Sequence, residues 1–169
     1  MDFLCFYTKM LKIHKNPYGV MTNSPDFDYH RVNLSNYMGI GGETPENRLC
    51  KCELEIYSRG LGGFGLPGDF SSASRFVRAC FVKENASADQ TETASVNQFF
   101  HMLNAVAMPK GSVWTKNGFE YTRYSSCCNA DKGIYYYTTY NQLGITAVSM
   151  QNVDLDQDCL YRYEVCGME

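Results

Sequence analysis

Eight cysteines, three histidines and a run of glycines are the groups in this 169-residue chain with reactivity or binding to offer. A thiolate is both a nucleophile and a soft metal ligand. The cysteines fall at Cys5, in Cys50-Lys51-Cys52, at Cys80, in Cys127-Cys128, and at Cys159 and Cys166. None of these clusters has the gap of two or more residues that folds two thiolates onto one tetrahedral metal. His14, His30 and His101 share no zinc-ligand spacing either, so no metal and no cofactor is expected. Cys127-Cys128 has only Arg123 and Lys132 as nearby cations, which favours a packing role over a nucleophilic one. His101 lies between Phe100 and Met102 and is expected to be a half-buried imidazole.

Gly60-x-Gly62-x-x-Gly65 has the spacing of a dinucleotide-binding loop. In that fold the third glycine lies in the helix start and packs it on the strand, whereas here Pro67-Gly68 intervenes first. The expected role is a tight loop with several residues at positive φ.

Composition narrows the function classes. Lys plus Arg at 15 against Asp plus Glu at 18 gives a net charge of −3, without the basic excess that nucleic-acid backbones require. There is no run of 18 apolar residues to span a bilayer, so no membrane partner is expected. Met1 to Tyr7 is apolar in part but has no preceding basic residue and no small-residue cleavage site after it. A cytoplasmic location, with packed free thiols, is the resulting expectation.

These residues need elements to position them. Pro17 to Asn23 reads as a β run ended by Ser24-Pro25, and Asp28 to Tyr37 as a short helix, capped by Asp26 or Asp28, with Val32 and Leu34 inward. Residues 39 to 52 read as a surface loop, and Leu54, Ile56 and Tyr57 as a short strand or turn. After the glycine loop, Asp69 to Ser72 supplies capping oxygens for a helix whose apolar face is Phe70, Ala73, Phe76, Val77, Cys80 and Phe81. That helix carries Arg75 and Arg78. A second helix spans Glu92 to Met108 and stops at Pro109. Phe119 to Ser126, Ile134 to Tyr140 and Ile145 to Met150 read as an antiparallel meander on short turns. The fold class is therefore α+β.

Three stretches stand out together: Asn16 to Tyr29 (NPYGVMTNSPDFDY), Gly60 to Asp69 (GLGGFGLPGD) with Ser71 to Arg78 (SSASRFVR), and Tyr124 to Tyr137 (YSSCCNADKGIYYY). In order and spacing they resemble the choloylglycine hydrolase family of conjugated bile acid hydrolases and penicillin V acylases. Residues 13–169 correspond to the C-terminal portion of such a domain, and residues 1–12 form a poorly matching extension. The resemblance implies part of an αββα N-terminal nucleophile hydrolase sandwich, antiparallel sheets with flanking helices. It implies cleavage of a linear amide by an N-terminal cysteine whose own α-amino group is the base. Asn23, in Thr22-Asn23-Ser24-Pro25, matches the family's active-site asparagine, which donates toward the oxyanion or orients the nucleophile. Arg75, in Ser74-Arg75-Phe76, matches the active-site arginine that organises charge beside the thiolate.

The nucleophile has no match among these residues. Met1 is followed by Asp2, so no cysteine is presented at the terminus, and Cys5 lies in unmatched surroundings. The expectation is a bile salt hydrolase fragment, inactive alone. Its substrate would be a conjugated bile salt, releasing glycine or taurine, or a related acyl amide such as penicillin V. The alternative is a non-catalytic bile-salt-binding or complementing subunit, with a homo-oligomer or the missing N-terminal half as the partner.

Overall fold

The computed structural model describes residues 14–167; Cys5 and the whole 1–12 extension therefore lie outside the described residues. Three helices, α1 (Phe27–Leu34), α2 (Ser72–Asn85) and α3 (Glu92–Asn104), precede five short strands. These are β1 (Val113–Thr115), β2 (Gly118–Glu120), β3 (Tyr124–Asn129), β4 (Ile134–Thr139) and β5 (Thr146–Ser149). β1 and β2 form a hairpin, and β3-β4-β5 form an antiparallel meander with Ser126 opposite Tyr137 and Tyr136 opposite Ala147. The class is α+β, as the patterning predicts, and the second and third meander strands fall where expected; the expected first strand, Phe119 to Ser126, is instead divided between the end of β2, a connector and the start of β3.

Residues 17–23 do not form the expected strand. A strand requires a ladder partner, and among the described residues no strand pairs with them. Instead Asn16 closes a turn, accepting from Gly19 N at 3.1 Å and donating to Val20 O at 3.0 Å, with Gly19 at φ +61°. Residues 54–57 are likewise irregular and exposed rather than a strand.

α1 starts at the expected cap: Asp26 Oδ1 accepts from Tyr29 N at 3.0 Å. Its inward face is not the expected one. Val32 is exposed and His30 is buried, because α2 sets the packing and stacks Phe76 against the His30 ring at 4.4 Å. Tyr18 and Phe27 add edge contacts to Phe76 at 6.4 Å each, completing an aromatic cluster.

α2 forms where capping and periodicity coincide. Ser71 caps Ser74 N, while Asp69 accepts from Ser71 N at 2.8 Å and from Ser74 Oγ at 2.5 Å. These donors hold the Asp69 carboxyl down at about 2. Phe76, Val77 and Cys80 are buried along the expected face.

α3 ends at Asn104, earlier than the predicted Met108, and the chain winds on through 105–107 in tighter turns. Arg75 Nε donates to Val106 O at 2.9 Å and Arg78 Nε to Ala105 O at 3.1 Å, satisfying carbonyls just past the helix end that have no intrahelical partner. Pro109 has no N–H with which to continue the helix. α3 then packs on β3, and the opposite sheet face is closed in part by the C-terminal segment, where Thr139 Oγ1 donates to Cys166 O at 3.0 Å.

Candidate functional site

Asn23 and Arg75, 52 positions apart, line one open cavity of about 560 Å³. The contact that brings them together is local: the Thr22 hydroxyl bonds the Ser72 hydroxyl at the first turn of α2. Asn23 follows directly, and Arg75 sits one turn further along the helix. Asn23 is exposed at the cavity rim, where its Oδ1 accepts a long 3.4 Å bond from Thr22 Oγ1. Arg75 is half-buried and anchored through Nε to Val106 O. Burial, and secondarily the charge of Arg78, lowers its pKa from the ordinary arginine value, yet a guanidinium remains cationic near neutrality.

Arg78 does not line this cavity. Its Nη1 donates to Pro67 O at 2.8 Å and Asp69 O at 2.6 Å, so it ties the glycine-loop exit to α2. Both arginines bind backbone carbonyls, but only Arg75 also lines the cavity.

The far wall consists of Phe119, Glu120, Tyr121 and Arg123, none of which the sequence patterns single out. They are delivered by β2 and the connector to β3. That connector is fixed by Thr122 N to Met108 O at 3.0 Å, Met108 N to Thr122 Oγ1 at 2.9 Å, and Tyr140 N to Arg123 O at 2.8 Å. No short-range signal announces such a wall, since it depends on pairings between segments about 14 to 17 residues apart. Chemically the cavity offers an amide that can donate to a developing oxyanion, a fixed cation, a second cation in Arg123 and one carboxylate in Glu120.

The remaining candidates separate from this place. A second cavity of about 490 Å³, between the meander and Tyr163 to Val165, is lined mainly by tyrosine and valine and holds no cation. His101 is exposed, not half-buried. Cys80 is buried and its thiol is pushed up to about 11, chiefly by burial. Cys127 is half-buried and likewise raised by burial and then by Cys128. Cys50, Cys52, Cys128, Cys159 and Cys166 are exposed, so packing is not their general role. Among the described residues no group of three or more His, Cys, Asp or Glu could hold a metal.

The glycine loop is a packing device. Gly60 and Gly65 take φ of +80° and +91°, and Gly41 N bonds Gly62 O at 2.9 Å. A Cβ on Gly62 would lie 1.9 Å from Glu43 O and 2.5 Å from Gly41 O. Gly62 thus permits a close backbone approach that any side chain would block.

The α+β scaffold thus brings Asn23 and Arg75 to one cavity. Residues 7–163 match the linear amide C-N hydrolases of the choloylglycine hydrolase family, and the chain belongs to that family. It is 52% identical over 155 residues to the bile salt hydrolase/transferase of Lactiplantibacillus plantarum, covering 90% of this chain and 48% of that protein. It is 40% identical over 156 residues to the bile salt hydrolase/transferase of Clostridium perfringens, covering 91% and 47%. A solved mutant of the conjugated bile acid hydrolase from Clostridium perfringens superposes with a TM-score of 0.78 at 40% identity, over 89% of this chain and 46% of that one. The penicillin V acylase of Agrobacterium tumefaciens shares the fold, with a TM-score of 0.62 at 22% identity over 84% of this chain and 39% of that one. The chain thus spans about half the length of the curated relatives it matches. No helix among the described residues is long and apolar enough to cross a membrane.

Proposed function

We propose that this chain is the C-terminal portion of a bile salt amide hydrolase, supplying Asn23 and Arg75 to a catalytic centre whose nucleophile comes from the other half of the αββα sandwich. The observation that carries the reading is the convergence of Asn23 and Arg75 on one cavity through the Thr22 to Ser72 contact. In this mechanism a cysteine thiolate attacks the acyl carbon of the conjugate. Asn23 donates an amide N–H to the tetrahedral oxyanion, and Arg75 holds the thiolate in its charged form. Collapse expels glycine or taurine as the amine, and water hydrolyses the thioester. The chain covers about half the length of its relatives, which supports a site completed by the other half.

The similarity to the Lactiplantibacillus plantarum and Clostridium perfringens enzymes supports bile salts over penicillin V, because the likeness to the acylase lies in the fold. The test is release of glycine or taurine from conjugated bile salts by the chain alone and by the chain co-expressed with the N-terminal half of the Lactiplantibacillus plantarum relative. Turnover is expected only in the reassembled pair and is lost with Asn23→Ala. Turnover by the 169 residues alone refutes the divided site.

A non-catalytic complementing subunit is the second reading. It is favoured by the large apolar residues left on the surface, among them Met38, Leu49, Phe64 and Leu160. A reassembled pair that binds a bile salt without cleaving it would establish that role instead.

A further inference from the structure

Residues 41 to 62 form a long excursion closed at its base by the Gly41 to Gly62 backbone bond, and its outer part carries two thiols with no role in amide hydrolysis. Cys50 and Cys52 are both exposed, yet their Sγ atoms lie 2.8 Å apart, well inside the separation of unrelated sulfurs. The chain bends at Leu49, Lys51 and Cys52 to allow this. Asn47 holds the bend: its Oδ1 accepts from Leu49 N at 3.0 Å and Cys50 N at 3.3 Å, and its Nδ2 donates to Cys50 O at 3.1 Å and Cys52 O at 2.7 Å. One amide side chain thus fixes the backbone on both sides of the pair.

We propose that Cys50 and Cys52 form a thiol–disulfide exchange site, which takes a small-molecule disulfide of the glutathione class and closes to an internal disulfide, with Asn47 as its positioning residue. In the first step the Cys50 thiolate attacks one sulfur of the incoming disulfide, forming a mixed disulfide and expelling one thiolate. Cys52, already in contact, loses its proton to solvent and attacks the Cys50 sulfur, expelling the second thiolate. The protein dithiol is oxidised by two electrons, the small disulfide is reduced to two thiols, and the two protein protons go to them through water. Cys50 is the attacking member because Cys52, then Asn47, donates toward its sulfur and lowers its pKa from the ordinary thiol value. Cys52 is the resolving member because an intramolecular partner outcompetes a second external thiol.

The same chain supplies its own comparison, since Cys128 and Cys159 are also exposed and lie outside the Cys50 to Cys52 sulfur contact. The full chain is incubated with oxidised glutathione, quenched with an alkylating agent and digested with trypsin, which cuts after Lys51 between the two cysteines. Closure leaves the Leu49–Lys51 peptide joined to the Cys52–Arg59 peptide. That joined species is expected as the principal disulfide, forming several-fold faster in native buffer than in urea. Cys52→Ser is expected to retain a glutathionyl group on Cys50, and Asn47→Ala to slow closure toward the rate in urea. Glutathionyl groups spread over Cys50, Cys128 and Cys159 without the joined peptide, or equal closure rates in native buffer and urea, overturn the proposal. Both readouts are independent of bile salt turnover, so they stand or fall apart from the hydrolase reading.

Discussion

The Tyr136 hydroxyl donates to Glu92 Oε1 at 2.9 Å, tying the second strand of the meander to the first turn of α3. Asn129 Nδ2 donates to the same oxygen at 2.5 Å, and Lys132 pairs with Oε2. One carboxylate therefore fastens helix, turn and strand together. These donors, with Lys132 first, lower the Glu92 pKa from its ordinary value.

Because that pKa is lower in the folded chain than in the unfolded one, the stabilisation is fully present above the ordinary carboxylate pKa. It is lost as pH falls through the folded value. Asp69, held at about 2, acts with the same sign below its ordinary 3.8. Urea melts at pH 7 and at successively lower pH are expected to show falling stability. Glu92→Gln should be less stable than the wild type at pH 7 and less sensitive to acidification. An unchanged pH slope in the variant removes Glu92 from this role.

Phe76→Ala should cost about 3–5 kcal/mol, since it deletes the ring at the centre of the His30, Tyr18 and Phe27 cluster. Denaturant unfolding gives the number. A loss under about 1 kcal/mol would mean the site collapses without a cavity.

Gly62→Ala tests the loop base. Its new methyl meets backbone carbonyls rather than a flexible side chain, so a loss of about 1–3 kcal/mol is expected. Gly60→Ala meets no atom within 4 Å but must hold a φ of +80°, so its cost is conformational and should be smaller, about 1 kcal/mol. Equal losses would show that the close approach at Gly62 relaxes freely.

In the proposed reassembled pair Arg75 and Arg78 should separate. Arg75→Lys keeps a cation but loses the fixed fork and its Nε bond to Val106 O, so turnover is expected to fall about 10²-fold with a stability loss of at most about 1 kcal/mol. Arg78→Ala releases Pro67 and Asp69 carbonyls and should lower stability by about 1–2 kcal/mol instead. Turnover that survives Arg75→Lys would remove its assignment to the catalytic centre.

What the sequence makes legible is governed by range. α2 is readable because Ser71, its apolar spacing and the absence of proline all agree within one stretch. The meander is readable because its turns are short. By contrast, the inward face of α1 depends on Phe76 some 46 positions away, which is why His30 and not Val32 is buried. The carbonyls just past the end of α3 are bound by arginines from another helix, contacts invisible in its own periodicity. Asn23 and Arg75 are reached through the family resemblance alone; their shared cavity is a tertiary fact, and its far wall at Tyr121 and Arg123 carries no local mark.

The bond between Gly41 N and Gly62 O has an evolutionary corollary. Once the two ends are clasped, the intervening chain is an appendage whose length hardly matters to the frame: doubling a flexible loop costs only about 0.6 kcal/mol. Insertions, deletions and reporter peptides between Thr44 and Arg59 should be tolerated, while α2 behind the clasp stays in register. New chemistry can be tried out at the tip of such a loop while the frame behind it is left undisturbed.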